Sequence, residues 1–188
     1  MPAAETSPSA RERELVEAAY AYVLEHGIGD LSLRPLASAI GSSPRVLLFL
    51  FDSKEGLVRR LLARAREDEL GWLAAAGPRA ELTSPDHAVR VIWGWLSAAE
   101  HAPLLRLWVE AYGRSLVDPS GPWAGFAEAT VTDWLRLLES TGADAAARTL
   151  ALAGLRGLLL DLLATGDLAR IGAALEMLAV RLSGTVEP

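Results

Sequence analysis

The 188-residue chain has no cysteine and a single lysine, Lys54, against seventeen arginines. Without cysteine there is neither a disulfide nor a thiolate metal site. No stretch alternates apolar and polar residues as a half-buried strand does, which leaves an all-helical reading. No run suits a bilayer, since the most apolar one, residues 150–165, is broken by Arg156 and Asp161. The opening residues, MPAAETSPSARERE, lack the apolar core of a secretory signal, so the expectation is a cytoplasmic chain without a membrane partner. Its three histidines, His26, His87 and His101, lie far apart. Asp86–His87 and Glu100–His101 would be separated by roughly 20 Å of helix, so they cannot share a metal ion. There is no Gly-rich phosphate loop and no nucleophile elbow. Neither a cofactor, a metal nor a catalytic residue is expected.

What is present is apolar and unevenly charged. Hydrophobic residues make up 51% of the chain, enough for a buried core. The net charge is −6, which argues against a general nucleic-acid binder. Its distribution says more. Residues 1–31 carry two arginines against six acids, and residues 61–188 carry eleven against sixteen. Between them, Arg34, Arg45, Lys54, Arg59 and Arg60 face only Asp52 and Glu55.

The helices can be placed by their punctuation. A capping box, Ser9–Ala10–Arg11–Glu12, opens the first, which Gly27 stops. Along it Leu15, Ala19, Tyr22, Val23 and His26 share one face. Ser32 is placed to cap a second helix carrying Leu33, Leu36, Ala37 and Ile40. Ser43–Pro44 starts a third, an oxygen-bearing N-cap followed by proline at the first helical position. Asp52–Ser53–Lys54–Glu55 reads as a second capping box, opening a long fourth helix to about Ala76, with residues 75–86 a loop. Ser84–Pro85 and Pro103 begin the fifth and sixth, and the seventh carries Phe126, Thr130, Trp134, Leu137 and Leu138. The eighth, from about Asp144 to Ala164, is apolar almost all round and must be covered on more than one side. In the ninth, Leu168, Ile171, Leu175, Leu178 and Leu182 follow a 3-4-3-4 seam.

The second and third helices are short and joined by residues 41–43, the geometry of a helix-turn-helix braced by the first helix. The segment RERELVEAAYAYVLEHGIGDLSLRPLASAIGSSPRVLLFLFDSKEGLVRRLL, residues 11–62, resembles the N-terminal domain of the tetracycline-repressor (TetR) family of bacterial regulators. The matching features are the Ala-rich first helix ending in EHG, LRPLASAIG, SP opening the third helix, and F-x-S-K-E-x-L leading into the fourth.

The resemblance implies an all-α chain with a three-helix DNA-binding domain, residues 1–53, and a six-helix ligand-binding and dimerisation domain, residues 54–188. It implies a homodimeric transcriptional regulator, most often a repressor, on an inverted-repeat operator in double-stranded DNA. A small organic ligand would release it by changing the separation of the two reading heads. Leu47 and Phe51 would be scaffold. Arg34 would reach a base, while Ser32, Ser42, Ser43 and Lys54 would contact phosphates. Arg45 would touch base or phosphate, and Phe49, with Val46, would pack on thymine methyls. Leu48 stands where the family usually has a phosphate-bonding tyrosine, so one positioning contact is missing.

Trp95, Trp108, Tyr112, Phe126 and Trp134 concentrate in the fifth to seventh helices and suit an aromatic-lined cavity for an apolar or amphipathic molecule. Arg106, Glu110, Asp133 and Arg136 would each supply an orienting contact. Leu155, Leu159, Leu175 and Leu178, left exposed in a monomer, would pair the eighth and ninth helices with a second copy as a four-helix bundle. Ala147, Ala151 and Gly154 would let the two chains approach. Two other readings stay open. A helical interaction module without specific DNA binding fits Leu48 and the acidic balance. An all-α enzyme would use Glu110, Asp133 and Arg136.

Overall fold

Residues 10–80 and 82–184 are described by the computed structural model, 73 and 75–80 by backbone alone. They form α1 (Ala10–His26), α2 (Leu33–Ala39), α3 (Pro44–Phe51), α4 (Lys54–Ala80) and α5 (Pro85–Leu96). After a 3₁₀ turn, Ala99–His101, come α6 (Ala102–Val117), α7 (Phe126–Glu139), α8 (Ala145–Thr165) and α9 (Leu168–Leu182). The described residues contain no strand. Ser9, expected to cap α1, lies outside them.

Local chemistry explains most helix ends. Ser43 Oγ accepts from the Val46 amide, Ser84 Oγ from the His87 amide, and Asp144 and Asp167 cap α8 and α9 in the same way. Gly41, at φ +63°, ends α2 in a Schellman motif: the Ser42 amide donates to the Ala37 carbonyl and the Gly41 amide to that of Ser38. Three expectations are corrected. Ser32 holds the N-cap position of α2 but its hydroxyl caps nothing. Its natural donor is the third helical residue, Pro35, which has no N–H. The fourth helix is capped by Ser53 rather than Asp52, with the Gly56 amide donating to Ser53 Oγ at 2.9 Å. Asp52 instead takes φ +62° in a three-residue turn, closed by the Ser53 amide on the Phe51 carbonyl at 2.7 Å. Finally, α4 continues through Gly77–Pro78 to Ala80, where a loop was expected. A proline near a helix end removes one donor without breaking the turns behind it.

Packing divides the apolar residues into two clusters. The first joins α1, α2, α3 and the start of α4, around Leu15, Leu36, Leu47, Phe51, Leu57 and Leu61, with Leu107 and Ala111 of α6. The second joins α5, α7, α8 and α9, with Leu105 of α6 and Trp72 of α4 at its edge. Helices α4 and α6 therefore contribute to both.

The leucines assigned to a partner chain are spent inside this one. Leu155, Leu159 and Leu175 are 1%, 2% and 5% exposed, within the second cluster. Leu178 is half-buried and rests on Gly154, where an added Cβ would lie 2.4 Å from a Leu178 methyl carbon. The close approach of small residues thus joins α8 to its own α9. An apolar seam shows that a helix is partnered, but not by whose helix. The outward stripe consists of Leu150, Ala153, Gly157 and Leu160 on α8, with Ala173, Met177 and Val180 on α9, all exposed.

The turn into α4 makes a testable demand. A Cβ on Gly56 would sit 2.0 Å from the Phe51 carbonyl oxygen. Glycine-to-alanine substitution inside a helix ordinarily stabilises by about 1 kcal/mol. Here Gly56→Ala is expected to destabilise by about 1–3 kcal/mol, because backbone must give way. Urea unfolding of the two proteins checks the sign.

Candidate nucleic-acid interface and internal pocket

On α3 the core takes Leu47 and Phe51, which pack with Leu36, Ala37 and Ile40 as the pattern required. The exposed positions, Arg45, Val46, Leu48 and Phe49, form one contiguous arc, and Phe49 is 82% exposed. Val46, Leu48 and Phe49 together make a contiguous exposed apolar patch, the kind of surface that marks an interaction site.

Around this arc lie cations without acidic partners. Arg34 is exposed on the first turn of α2, Arg45 on the first turn of α3, and Lys54 opens α4 half-buried. Among the described residues none of the three makes an ion pair, whereas Arg60 is held by Glu12 at 3.4 Å and Arg64 by Glu17 at 2.7 Å. The serines differ. Ser32 presents a hydroxyl that caps nothing, Pro35 having removed the amide at the third helical position. Ser43 has its oxygen engaged by Val46 and keeps its proton to donate. The Ser42 hydroxyl is buried without a partner.

The second site is internal. Leu62, Ala65 and Glu69 of α4, Trp95 of α5, Trp108 of α6, Phe126 and Trp134 of α7, and Leu152, Leu155, Arg156 and Leu159 of α8 surround one apolar cavity. Four of the five expected aromatic residues line it. Tyr112 stands one shell back, stacked on Trp108 with ring centroids 5.0 Å apart. Trp95, Trp134 and Trp72 cluster at centroid distances of 4.7–6.4 Å. These rings nearly fill the space, and the free volume is about 40 Å³. That admits a few water molecules, whereas organic ligands occupy pockets of roughly 300–1,000 Å³.

Two charged groups border this cavity. Glu69 is 4% exposed. Trp134 Nε1–H donates to one of its oxygens at 2.5 Å and Arg66 holds the other, while Arg66 also binds Asp133. The carboxylate is thereby neutralised and ties α4 to α7. Arg156 has no acidic partner among the described residues. Its Nη1 donates to the Tyr112 hydroxyl at 3.3 Å, and its guanidinium lies over the Tyr112 and Trp108 rings at 5.0 and 5.6 Å. Burial holds its pKa below the ordinary arginine value.

Sequence reasoning missed both groups, although Arg156 left a signal as one of the two charges, with Asp161, that break the most apolar run of the chain. The four residues expected to orient a ligand are elsewhere. Arg106 and Arg136 are exposed, and Asp133 is ion-paired with Arg66 and Arg136. Glu110 points from α6 to the α1–α2 turn, where it accepts from the Ile28 amide at 3.2 Å and pairs with Arg114 at 3.5 Å. A Cβ on Gly29 would lie 1.8 Å from that carboxylate, so the turn and α6 meet closely.

No protein-family model matches the sequence, and no curated protein matches it. Solved structures match the fold. The multidrug binding protein EbrR in complex with imidazole is 24% identical, with a TM-score of 0.71 over 97% of this chain and 96% of that one. Its complex with proflavin gives a TM-score of 0.70 over 92% and 99%. The fatty acid degradation regulator FadR from Bacillus halodurans is 15% identical, with a TM-score of 0.63 over 97% and 100%. A TetR-like transcriptional regulator from Rhodococcus sp. RHA1 is 21% identical, with a TM-score of 0.62 over 95% and 100%. A braced helix-turn-helix followed by a helical body around an aromatic cavity, aligned over nearly its whole length, gives this chain the all-α fold of the TetR-type regulators.

Proposed function

We propose that the chain is a cytoplasmic, homodimeric, ligand-responsive transcriptional regulator, a repressor that leaves an inverted-repeat operator when a small organic molecule enters the internal cavity. The observation that carries this reading is the exposed arc of α3, bracketed by the unpaired cations Arg34, Arg45 and Lys54. The apolar arc packs on thymine methyls and the flanking groups hold base and backbone. Burying Phe49 in the groove recovers part of the about 1.5–3 kcal/mol that such a side chain is worth. In chemical character the ligand suits the tryptophan-rich wall. The printed descriptions of EbrR as multidrug binding, with proflavin bound, and of FadR as a fatty acid degradation regulator agree with that class.

Two helices connect the sites. From Lys54 to Glu69, α4 is one continuous rod of roughly 22 Å. Its far end lines the cavity and its near end carries the phosphate-binding lysine. Helix α6 sets Trp108 into the cavity wall and Glu110 against the α1–α2 turn. A molecule that parts the tryptophans displaces both helices, and with them the reading head. The enzyme alternative loses its cluster, since Glu110 and Asp133 are held in separate ion pairs.

Selection from random duplexes should enrich an inverted repeat, and no enrichment defeats the regulator reading. Arg34→Ala should relax preference at one position and cost about 1–3 kcal/mol. Lys54→Ala should weaken all duplexes alike and lower the salt slope by about one unit.

For the dimer, the outward stripe of α8 and α9 takes the place of the buried leucines. Light scattering at micromolar concentration should find a dimer. Leu160→Arg combined with Met177→Arg should give a folded monomer, while Leu159→Arg should unfold the chain by burying an unpaired charge. A double variant that stays dimeric would place the interface elsewhere.

A further inference from the structure

Buried polar atoms without a hydrogen-bond partner are few in folded proteins, and each one invites an explanation. Among the described residues they are Ser42 Oγ, Arg148 Nε, and three that gather at the internal cavity: Trp108 Nε1, Arg156 Nε and Arg156 Nη2. Of the two arginines, Arg148 is neutralised by Glu139 at 2.8 Å. Arg156 makes no ion pair with a described carboxylate; Glu69, already held by Arg66, acts on it only through space. Nε and Nη2 form one edge of the guanidinium, two parallel donors at the spacing of a carboxylate's oxygens. Tyr112 occupies the other side through Nη1. The free edge therefore has the form of a bidentate carboxylate receptor, and Trp108, whose ring centroid lies 5.6 Å from the guanidinium, carries the third unpartnered donor.

We infer that the regulator's ligand is an organic monocarboxylate with an aromatic or aliphatic body, its carboxylate seated on Arg156 Nε and Nη2 with help from Trp108 Nε1, its body among the tryptophans. This rests on the ligand-responsive reading above and narrows it to one chemical class. A cationic ligand lacks a counterpart, because both Glu69 oxygens are already taken by Arg66 and Trp134. A dianion such as a phosphate monoester would leave one charge uncompensated in apolar surroundings. A neutral molecule would leave the buried guanidinium as it is, unpaired.

The test is calorimetric titration of the full-length protein with two matched series. One is 2-naphthoate, 2-naphthamide and 2-naphthylmethylammonium; the other is decanoate, decanamide and decylammonium. In at least one series the carboxylate should bind about tenfold or more tightly than the amide and the ammonium, as a charge-assisted bidentate pair requires. Arg156→Met should reduce that preference to about threefold or less. It should also leave the melting temperature of the unliganded protein equal or higher, since it removes an uncompensated buried charge. Arg156→Lys, which keeps the charge and loses the fork, should fall between. An amide or ammonium that binds as tightly as its carboxylate overturns the inference while leaving the regulator a ligand-binding protein. So does an Arg156→Met protein that melts earlier and keeps its preference. If no member of either series binds at any charge, the ligand-responsive reading falls and takes this one with it.

Discussion

Helix α4, which with α6 contributes to both apolar clusters, is anchored at each end, and its placement decides where the elements around it sit. At its start, the Phe51 carbonyl presses against Gly56, and the turn at Asp52 fixes how α3 meets α4. Further along, Glu69 is locked to α7 through the Trp134 indole and through Arg66, which also holds Asp133. Between these points Arg64 joins Glu17 of α1 to Asp68, and Tyr20 donates to Asp68 at 2.8 Å. A rod anchored this way cannot slide against one cluster without disturbing the other, because close-packed interiors transmit displacement rather than absorb it.

The surface that faces outward from α3 is unusual in its economy of charge. Leucine at position 48 offers phosphate no donor, and the exposed Ser32 hydroxyl, which caps nothing, is available for the proposed contact. Pro35, lacking an N–H, removes one of the two amides that hydroxyl could otherwise cap. A local irregularity of α2 is thus turned outward, toward the proposed contact.

How much was legible follows from the range over which each residue acts. Ser43, Pro44 and Gly41 act on their own turn, and the sequence places α2 and α3 well because of it. Ser32 and Asp52 look identical in sequence to working caps, and they fail for reasons three residues and one residue away: a missing donor at Pro35 and a competing cap at Ser53. The leucine seam of α9 was visible, but partnership is a property of tertiary arrangement, and its partners are α5 and α8 of the same chain. Trp95, Trp108, Phe126 and Trp134 were readable as a group because aromatic residues concentrate in adjacent helices. Arg156 and Glu69 were not, since their importance lies in what does or does not surround them. Glu110 reversed its expected direction, because α6 has two working faces and periodicity alone does not say which neighbour each one meets.

The cavity's free volume of about 40 Å³ has a consequence for timing. An organic molecule enters only during the moments when the tryptophan walls stand apart, so the arrival rate is encounter multiplied by the fraction of time open. The apparent dissociation constant is raised by the inverse of that fraction. A wall that opens seldom also closes over its guest and delays escape. In the proposed regulator this would favour a sustained supply of ligand over a brief pulse, a low-pass filter made of packed indole rings.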